Sequence, residues 1–150
     1  MAELLNPERP EKLSIVMFSG DFDKIHYGLV MASAAVATDT PVTLFFTMEA
    51  TRALLRPGAD NMPAWAMQPV STGLESGGDM DANLQERGVA DFETLLSACL
   101  ELGAHFMVCE MGLKAMDLKR SELRPDIPFE IGGVVTFLND AKKDGAVIFI

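Results

Sequence analysis

Apolar residues fall along this chain in short unbroken runs, each closed by a polar or glycine turn and followed by a stretch with helical spacing. Leu13 to Phe18 (LSIVMF) stops at Ser19-Gly20-Asp21, the pattern of a strand buried on both faces that ends in a turn. Asp21 or Asp23 can cap the helix that follows, because a carboxylate accepts hydrogen bonds from the first free N–H groups. That helix is expected from Lys24 to Ala37, and its small-residue middle, MASAAVA, suits close packing on a sheet and on a partner. Pro41 opens a second buried strand, VTLFFTM, and a short helix is expected over Glu49 to Leu55.

In the second half, Phe92, Leu95, Leu96, Cys99 and Leu102 share one face of a helix expected from Asp91 to Leu102, closed by Gly103. His105 to Cys109 (HFMVC) reads as a third strand and Gly112 to Leu118 as a helix directly after it. Phe129 to Ile131 suits a short fourth strand, Gly133 to Lys143 a helix and Ala146 to Ile150 a last strand. Strands alternating with helices predict one α/β domain over residues 13–150, a three-layer sandwich with a mostly parallel sheet covered on both faces. Residues 1–12, with Pro7 and Pro10, read as a flexible lead-in. Residues 57–90 are too long for an ordinary connection, usually about 4–6 residues. They carry Met62, Trp65, Met67 and Met80 among glycines. Two readings stand: a surface excursion with one short helix near Asp81 to Arg87, or a lid or subunit interface that covers those side chains.

Composition narrows the functions. Twelve Lys and Arg against 22 Asp and Glu give a net charge of -10. That balance disfavours sequence-independent nucleic-acid binding and docking on anionic lipid. No apolar run is long enough for a membrane span, and the N-terminus carries no export signal, so a cytoplasmic location and reduced thiols are expected. No metal site is expected from two cysteines without ligand-spaced neighbours.

The two cysteines are unlike. Cys99 sits in the apolar stripe of its helix and reads as a small buried hydrophobe. Cys109 ends a buried strand just before a helix, at the sheet edge where α/β proteins collect ligands and reactive groups. The N–H groups of that helix favour a thiolate. Glu110 opposes the effect and Lys114 could assist it; a buried structural thiol is the competing reading. A disulfide between the two is not expected, because the geometry puts them too far apart. His26, in the first turn of the helix after the first strand, is a candidate proton carrier or charge partner for a thiolate, against a plain solvated histidine. Gly20, in a turn only loosely like a phosphate cradle, is a further supporting candidate; nucleotide binding finds no support without a complete glycine motif. His105 begins its strand, at the opposite edge, and is given no chemistry.

The stretches SIVMFSGDFDKIHYGLVMASAAVATDTPVTLFF and GVADFETLLSACLELGAHFMVCEMGLKAMDL, with the late Ile131-Gly132-Gly133-Val134 turn, resemble the DsrE/DsrF-like family. The resemblance implies a flavodoxin-like or Rossmann-like fold assembled as a homotrimer or homohexamer. It implies a cysteine, here Cys109, that takes sulfane sulfur as a persulfide without a cofactor and relays it to TusA-like or rhodanese-like partners. The chain departs from the usual wording at FFTMEATRALL and at Glu110-Met111-Gly112. The alternatives are a non-catalytic assembly or regulatory subunit with a structural Cys109, and a peroxide-reactive thiol. The last is disfavoured because no Thr-x-x-Cys pattern precedes Cys109 and no resolving cysteine is in reach.

Overall fold

The computed structural model describes residues 6–150. Five strands, β1 (Leu13–Met17), β2 (Val42–Phe46), β3 (His105–Cys109), β4 (Glu130–Gly132) and β5 (Ala146–Phe149), form one parallel sheet in the order β4-β3-β2-β1-β5. The helices are α1 (Phe22–Ala37), α2 (Gly77–Glu86), α3 (Phe92–Glu101), α4 (Glu110–Ala115) and α5 (Val134–Asp140). The expected α/β class and strand list hold. The helix expected over residues 49–55 is a 3₁₀ helix, Met48–Leu54, and α4 starts at Glu110, two residues earlier than expected.

The topology decides which face each helix covers. From β1 to β4 every connection steps the same way across the sheet, and right-handed crossovers then keep their helices on one face. The chain after β4 crosses back to the far side of β1, so α5 lies on the other face. The first face is thickly covered. Ile15, Met17, Leu44, Phe46, Phe106 and Val108 point into a large core shared with α1, α3 and the segment after β2. The second face holds a small cluster, Phe45, Met107, Cys109 and Phe137, under the seven residues of α5. The two helical layers of the sandwich are therefore unequal, and the part of the second face over β1 and β5 stays open: Val147 and Phe149 are exposed.

The small residues of α1 are used within the chain. Ala32 and Ala35 are buried, α1 packs on α3, and a Cβ at Gly28 would lie 2.6 Å from the Met17 thioether. The 57–90 segment closes the first face. Trp65, in a 3₁₀ turn over Ala64–Met67, is buried between Phe22 and Phe92, with ring centroids 5.6 and 4.9 Å away. Its Nε1 donates to Glu93, whose carboxylate also takes the two-pronged Arg124 guanidinium at 2.8 and 3.1 Å. The hydrogen bonds from Arg124, with its charge, hold the Asp126 carboxyl below the usual range.

At the amino edge of the sheet the lead-in is tied to the body. Arg9 donates to the hydroxyls of Thr38 and Thr40, and Lys12 pairs with Asp140 at 2.6 Å. Residues 1–5 of that lead-in lie outside the described residues.

Candidate functional site

Cys109 is the last residue of β3 and the N-cap of α4, and its residue is 1% exposed. Its Sγ accepts a hydrogen bond from the Gly112 amide at 3.4 Å. Strand alternation fixes its direction: Phe106 and Val108 face the large core, so Met107 and Cys109 face the α5 side. There the thiol borders a cavity of about 420 Å³. Val16, Phe45, Thr47, Phe137, Leu138 and Phe149 form much of its wall. Among the described residues its lining includes no Asp, Glu, Lys, Arg or His. The stack of Phe45 on Phe137, centroids 4.7 Å apart, fixes the floor, and Phe18 against Phe149 at 5.2 Å stands at the mouth. The mouth is apolar too: Met111, Leu138, Val147 and Phe149 are each more than half exposed.

The cavity spans the carboxyl halves of β3, β2, β1 and β5, the edge of the sheet at which open α/β proteins bind ligands. One glycine lets the thiol sit there. A Cβ at Gly112 would lie 2.7 Å from Thr47 Oγ1 and 3.0 Å from the Met48 amide nitrogen, so a side chain would push α4 off the chain after β2. No local sequence pattern gives Thr47 or the absent side chain of Gly112 a role at the thiol. Spacing carries no signal for them, because their role comes from contact between segments some 60 residues apart.

The structure does not bring the other candidates to this thiol. His26 lies on α1, across the sheet from Cys109, and its buried Nε2 is 2.9 Å from the Ala90 carbonyl oxygen. It is a core histidine on the α3 side, neither solvated nor a partner for the sulfur; the sequence places α1 at the right edge but does not reveal its face. Lys114 points to solvent and pairs with Glu110 at 3.8 Å, outside the cavity wall. Gly20 is at the same sheet edge but borders other cavities, where a Cβ would lie 2.8 Å from Glu49 Cβ. The 57–90 segment of the chain contributes no wall residue to this cavity; its Trp65, Ala66 and Val70 pack into the core on the opposite face.

Cys99 is fully buried on α3, with Sγ 3.8 Å from the Leu29 carbonyl oxygen, and burial pushes its thiol up to about 11. It belongs to the first core and Cys109 to the second, with the sheet between them, and both are free thiols. Among the described residues no group of three His, Cys, Asp or Glu side chains is placed to hold a metal ion. Nor is any helix long and apolar enough to cross a membrane.

A parallel α/β sheet with one cysteine at a strand end beside an apolar crevice defines a class of thiol-bearing single-domain proteins. Residues 9–149 match the DsrE/DsrF/DrsH-like family, and the chain belongs to it. Among curated relatives, the uncharacterised protein YrkE of Bacillus subtilis (strain 168) is 27% identical over 164 aligned positions, covering 95% of this chain and 99% of the relative. The sulfur carrier protein DsrE2 of Allochromatium vinosum is 23% identical, with 93% of this chain and 98% of the relative covered. The solved structure of MTH1491 from Methanobacterium thermoautotrophicum, a protein of unknown function, superposes with a TM-score of 0.51 at 13% identity, covering 93% of this chain and 98% of that one. BT1422 from Bacteroides thetaiotaomicron, also of unknown function, gives 0.50 at 11%, with 93% and 95% covered. These two likenesses concern the fold alone.

Proposed function

We propose that this protein is a sulfur carrier that accepts sulfane sulfur on Cys109 and relays it to a partner protein. The observation that carries the reading is the Cys109 thiol at the wall of an apolar crevice at the carboxyl edge of the sheet. The likeness to a sulfur carrier over nearly the whole chain supports it. The Cys109 thiolate attacks the outer sulfur of a donor persulfide, R–S–SH. The S–S bond of the donor breaks, R–S⁻ leaves with the bond pair, and Cys109–S–SH forms. A recipient thiolate then attacks that outer sulfur, and the Cys109 thiolate leaves. Each exchange returns as many electrons as it takes, so no cofactor takes part. Apolar walls protect the loaded sulfur, since the thiolates that strip a persulfide are anions and are poorly solvated there.

The partners that suit this role are TusA-like or rhodanese-like proteins. The exposed apolar mouth gives such a partner, or a second copy in a homotrimer or homohexamer, a surface to cover. A reducing compartment such as the cytoplasm keeps both cysteines available as thiols. A second reading, a non-catalytic assembly or regulatory subunit, draws on one fact: the residue is 1% exposed.

Intact mass spectrometry after incubation with polysulfide tests the proposal. Wild type and Cys99→Ser should gain increments of about 32 Da, one sulfur atom each, and Cys109→Ser should gain none. Equal loading of all three would refute it, and no loading of folded wild type would favour the second reading.

A further inference from the structure

Three arginines of this acidic chain, Arg56, Arg120 and Arg124, border one groove of about 810 Å³ along the connection between α4 and β4. An antiparallel clip shapes it. Leu55 pairs with Leu123, the Arg56 amide donates to the Glu122 carbonyl at 2.8 Å, and the Arg124 amide donates to the Leu54 carbonyl at 2.9 Å. The clip also pins a side chain: Arg56 is exposed, yet its Nε donates to the Ser121 carbonyl at 2.8 Å, and both terminal NH₂ groups are left over. The three cations are not equivalent. Arg124 is matched by Glu93 and Asp126, at 2.8 and 2.7 Å. Among the described residues no carboxylate pairs with Arg56 or Arg120, in a chain with 22 Asp and Glu against 12 Lys and Arg. Glu130, also on the wall, contacts His105 at 2.6 Å. The same wall carries exposed Pro125 and Pro128 and half-buried Phe129. Arg56 borders a second cavity too, of about 490 Å³, where Met62 and Met67 are 49% and 74% exposed.

We infer that this surface docks a short acidic segment of a partner protein, with carboxylates on Arg56 and Arg120 and an apolar side chain against Met62 and Met67. Arginine and methionine are the residues that protein interfaces concentrate relative to other surfaces, and here the two types adjoin through Arg56. The two free NH₂ groups of Arg56 lie in one plane and match the two oxygens of a carboxylate. Because its Nε is already held, this side chain has less freedom left to lose on binding. Unbranched Met62 and Met67 adapt to the shape of an apolar residue laid over them. Charge also decides between a peptide and a nucleic acid. Glu49, Asp60, Asp126 and Glu130 stand among the cations and repel a continuous run of phosphates, whereas a peptide meets the two unmatched guanidiniums with two separate carboxylates. Neither cavity shares a wall residue with the thiol cavity, so a partner held here leaves Cys109 open, and the inference does not rest on sulfur loading.

The test titrates the full chain with the capped peptide Ac-EELFEE-NH₂ and follows backbone amide resonances. Met62, Ser121 and Phe129 should shift, with saturation below millimolar concentration. The charge-reversed peptide Ac-KKLFKK-NH₂ and the oligonucleotide hexathymidylate should leave them in place. Arg56→Gln combined with Arg120→Gln should weaken binding of the acidic peptide at least about tenfold, as for two lost charge-assisted contacts. Arg120→Gln alone, at a side chain with no ion pair to break, should weaken it in part while the protein keeps the wild-type unfolding midpoint. Polysulfide loading of Cys109 should be the same in the double variant and wild type, which separates this surface from the sulfur site. No shift with the acidic peptide, equal binding of both peptides, tighter binding of the oligonucleotide, or an unchanged affinity in the double variant would overturn the inference.

Discussion

The amide of Gly112 donates to the sulfur of Cys109 at 3.4 Å, and the missing side chain of the same glycine is what allows the helix bearing that amide to seat against Thr47. One residue thus supplies both the contact to the thiol and the packing that maintains it. Gly112→Ala would put a Cβ 2.7 Å from Thr47 Oγ1 and 3.0 Å from the Met48 nitrogen, one of them backbone that cannot swing away. The expected cost is about 1–3 kcal/mol, as for other overpacked sites. The shifted α4 should also change the rate at which Cys109 is alkylated in the folded protein. Combining it with Thr47→Ala should recover part of the stability and not all, because the clash with Met48 remains. Urea unfolding and a timed alkylation assay measure both effects.

Cys99 tests the division of labour between the thiols. Its burial and its raised thiol, at about 11, predict negligible alkylation in the native state at neutral pH. Cys99→Ser puts a hydroxyl into the α1/α3 core with only the Leu29 carbonyl near it, and should destabilise the fold by about 1–3 kcal/mol. Sulfur loading at Cys109 should persist, because the sheet separates the sites. Native alkylation of Cys99 at the rate of a free thiol would contradict its placement.

The strand list could be read from sequence because each strand is a short apolar run closed by a turn, and β3, His105–Cys109, follows the expectation residue for residue. The place of Cys109 at a strand end follows from that. Facing direction does not. His26 and Cys109 share an edge of the sheet in any strand–helix reading, yet the crossover after β4 puts α5 alone on the thiol side and leaves α1 on the other. That step depends on strand order, which no local pattern encodes. The packing of the 57–90 segment is hidden for a related reason. Trp65 stands outside any periodic stretch, and the partners that bury it, Phe22, Phe92 and Glu93, come from two distant helices.

The amino edge of the sheet should control acid stability. Burial alone would raise the Asp140 carboxyl, but hydrogen bonds from Lys12 and Thr43, with the charges of Lys12 and His105, outweigh it and hold the group below its ordinary 3.8. A carboxyl lowered on folding stabilises the native state above its unfolded value. That contribution fades as the pH falls through the lower folded value. Asp140→Asn should therefore be less stable than wild type at neutral pH, by about 1.5–3 kcal/mol for a lost charged hydrogen-bond partner. The gap should narrow as the pH drops from about 5 to about 2. Denaturant titrations of both proteins across that range give the difference directly, and a gap independent of pH would show that the charge contributes nothing.

The exposed apolar mouth supplies the last prediction. Phe149 is 66% exposed on the edge strand β5 and touches only Phe18 among the aromatic rings, so its ring contributes little to the core of the chain. It stands over the crevice that holds Cys109. A solvent-facing phenylalanine beside exposed Met111, Leu138 and Val147 costs the isolated chain solubility, and covering this patch recovers the hydrophobic free energy of all four. Phe149→Glu should leave the unfolding free energy within about 0.5 kcal/mol of wild type, the usual range for surface changes. Loading of Cys109 by small polysulfide should continue, since the sulfur and its Gly112 contact are untouched. Contact with a protein should suffer: either the oligomer measured by light scattering shifts toward monomer, or transfer from a protein persulfide slows by at least about tenfold, as for a lost aromatic anchor. Unchanged assembly together with unchanged protein-to-protein transfer would show that the patch is not the surface across which sulfur moves.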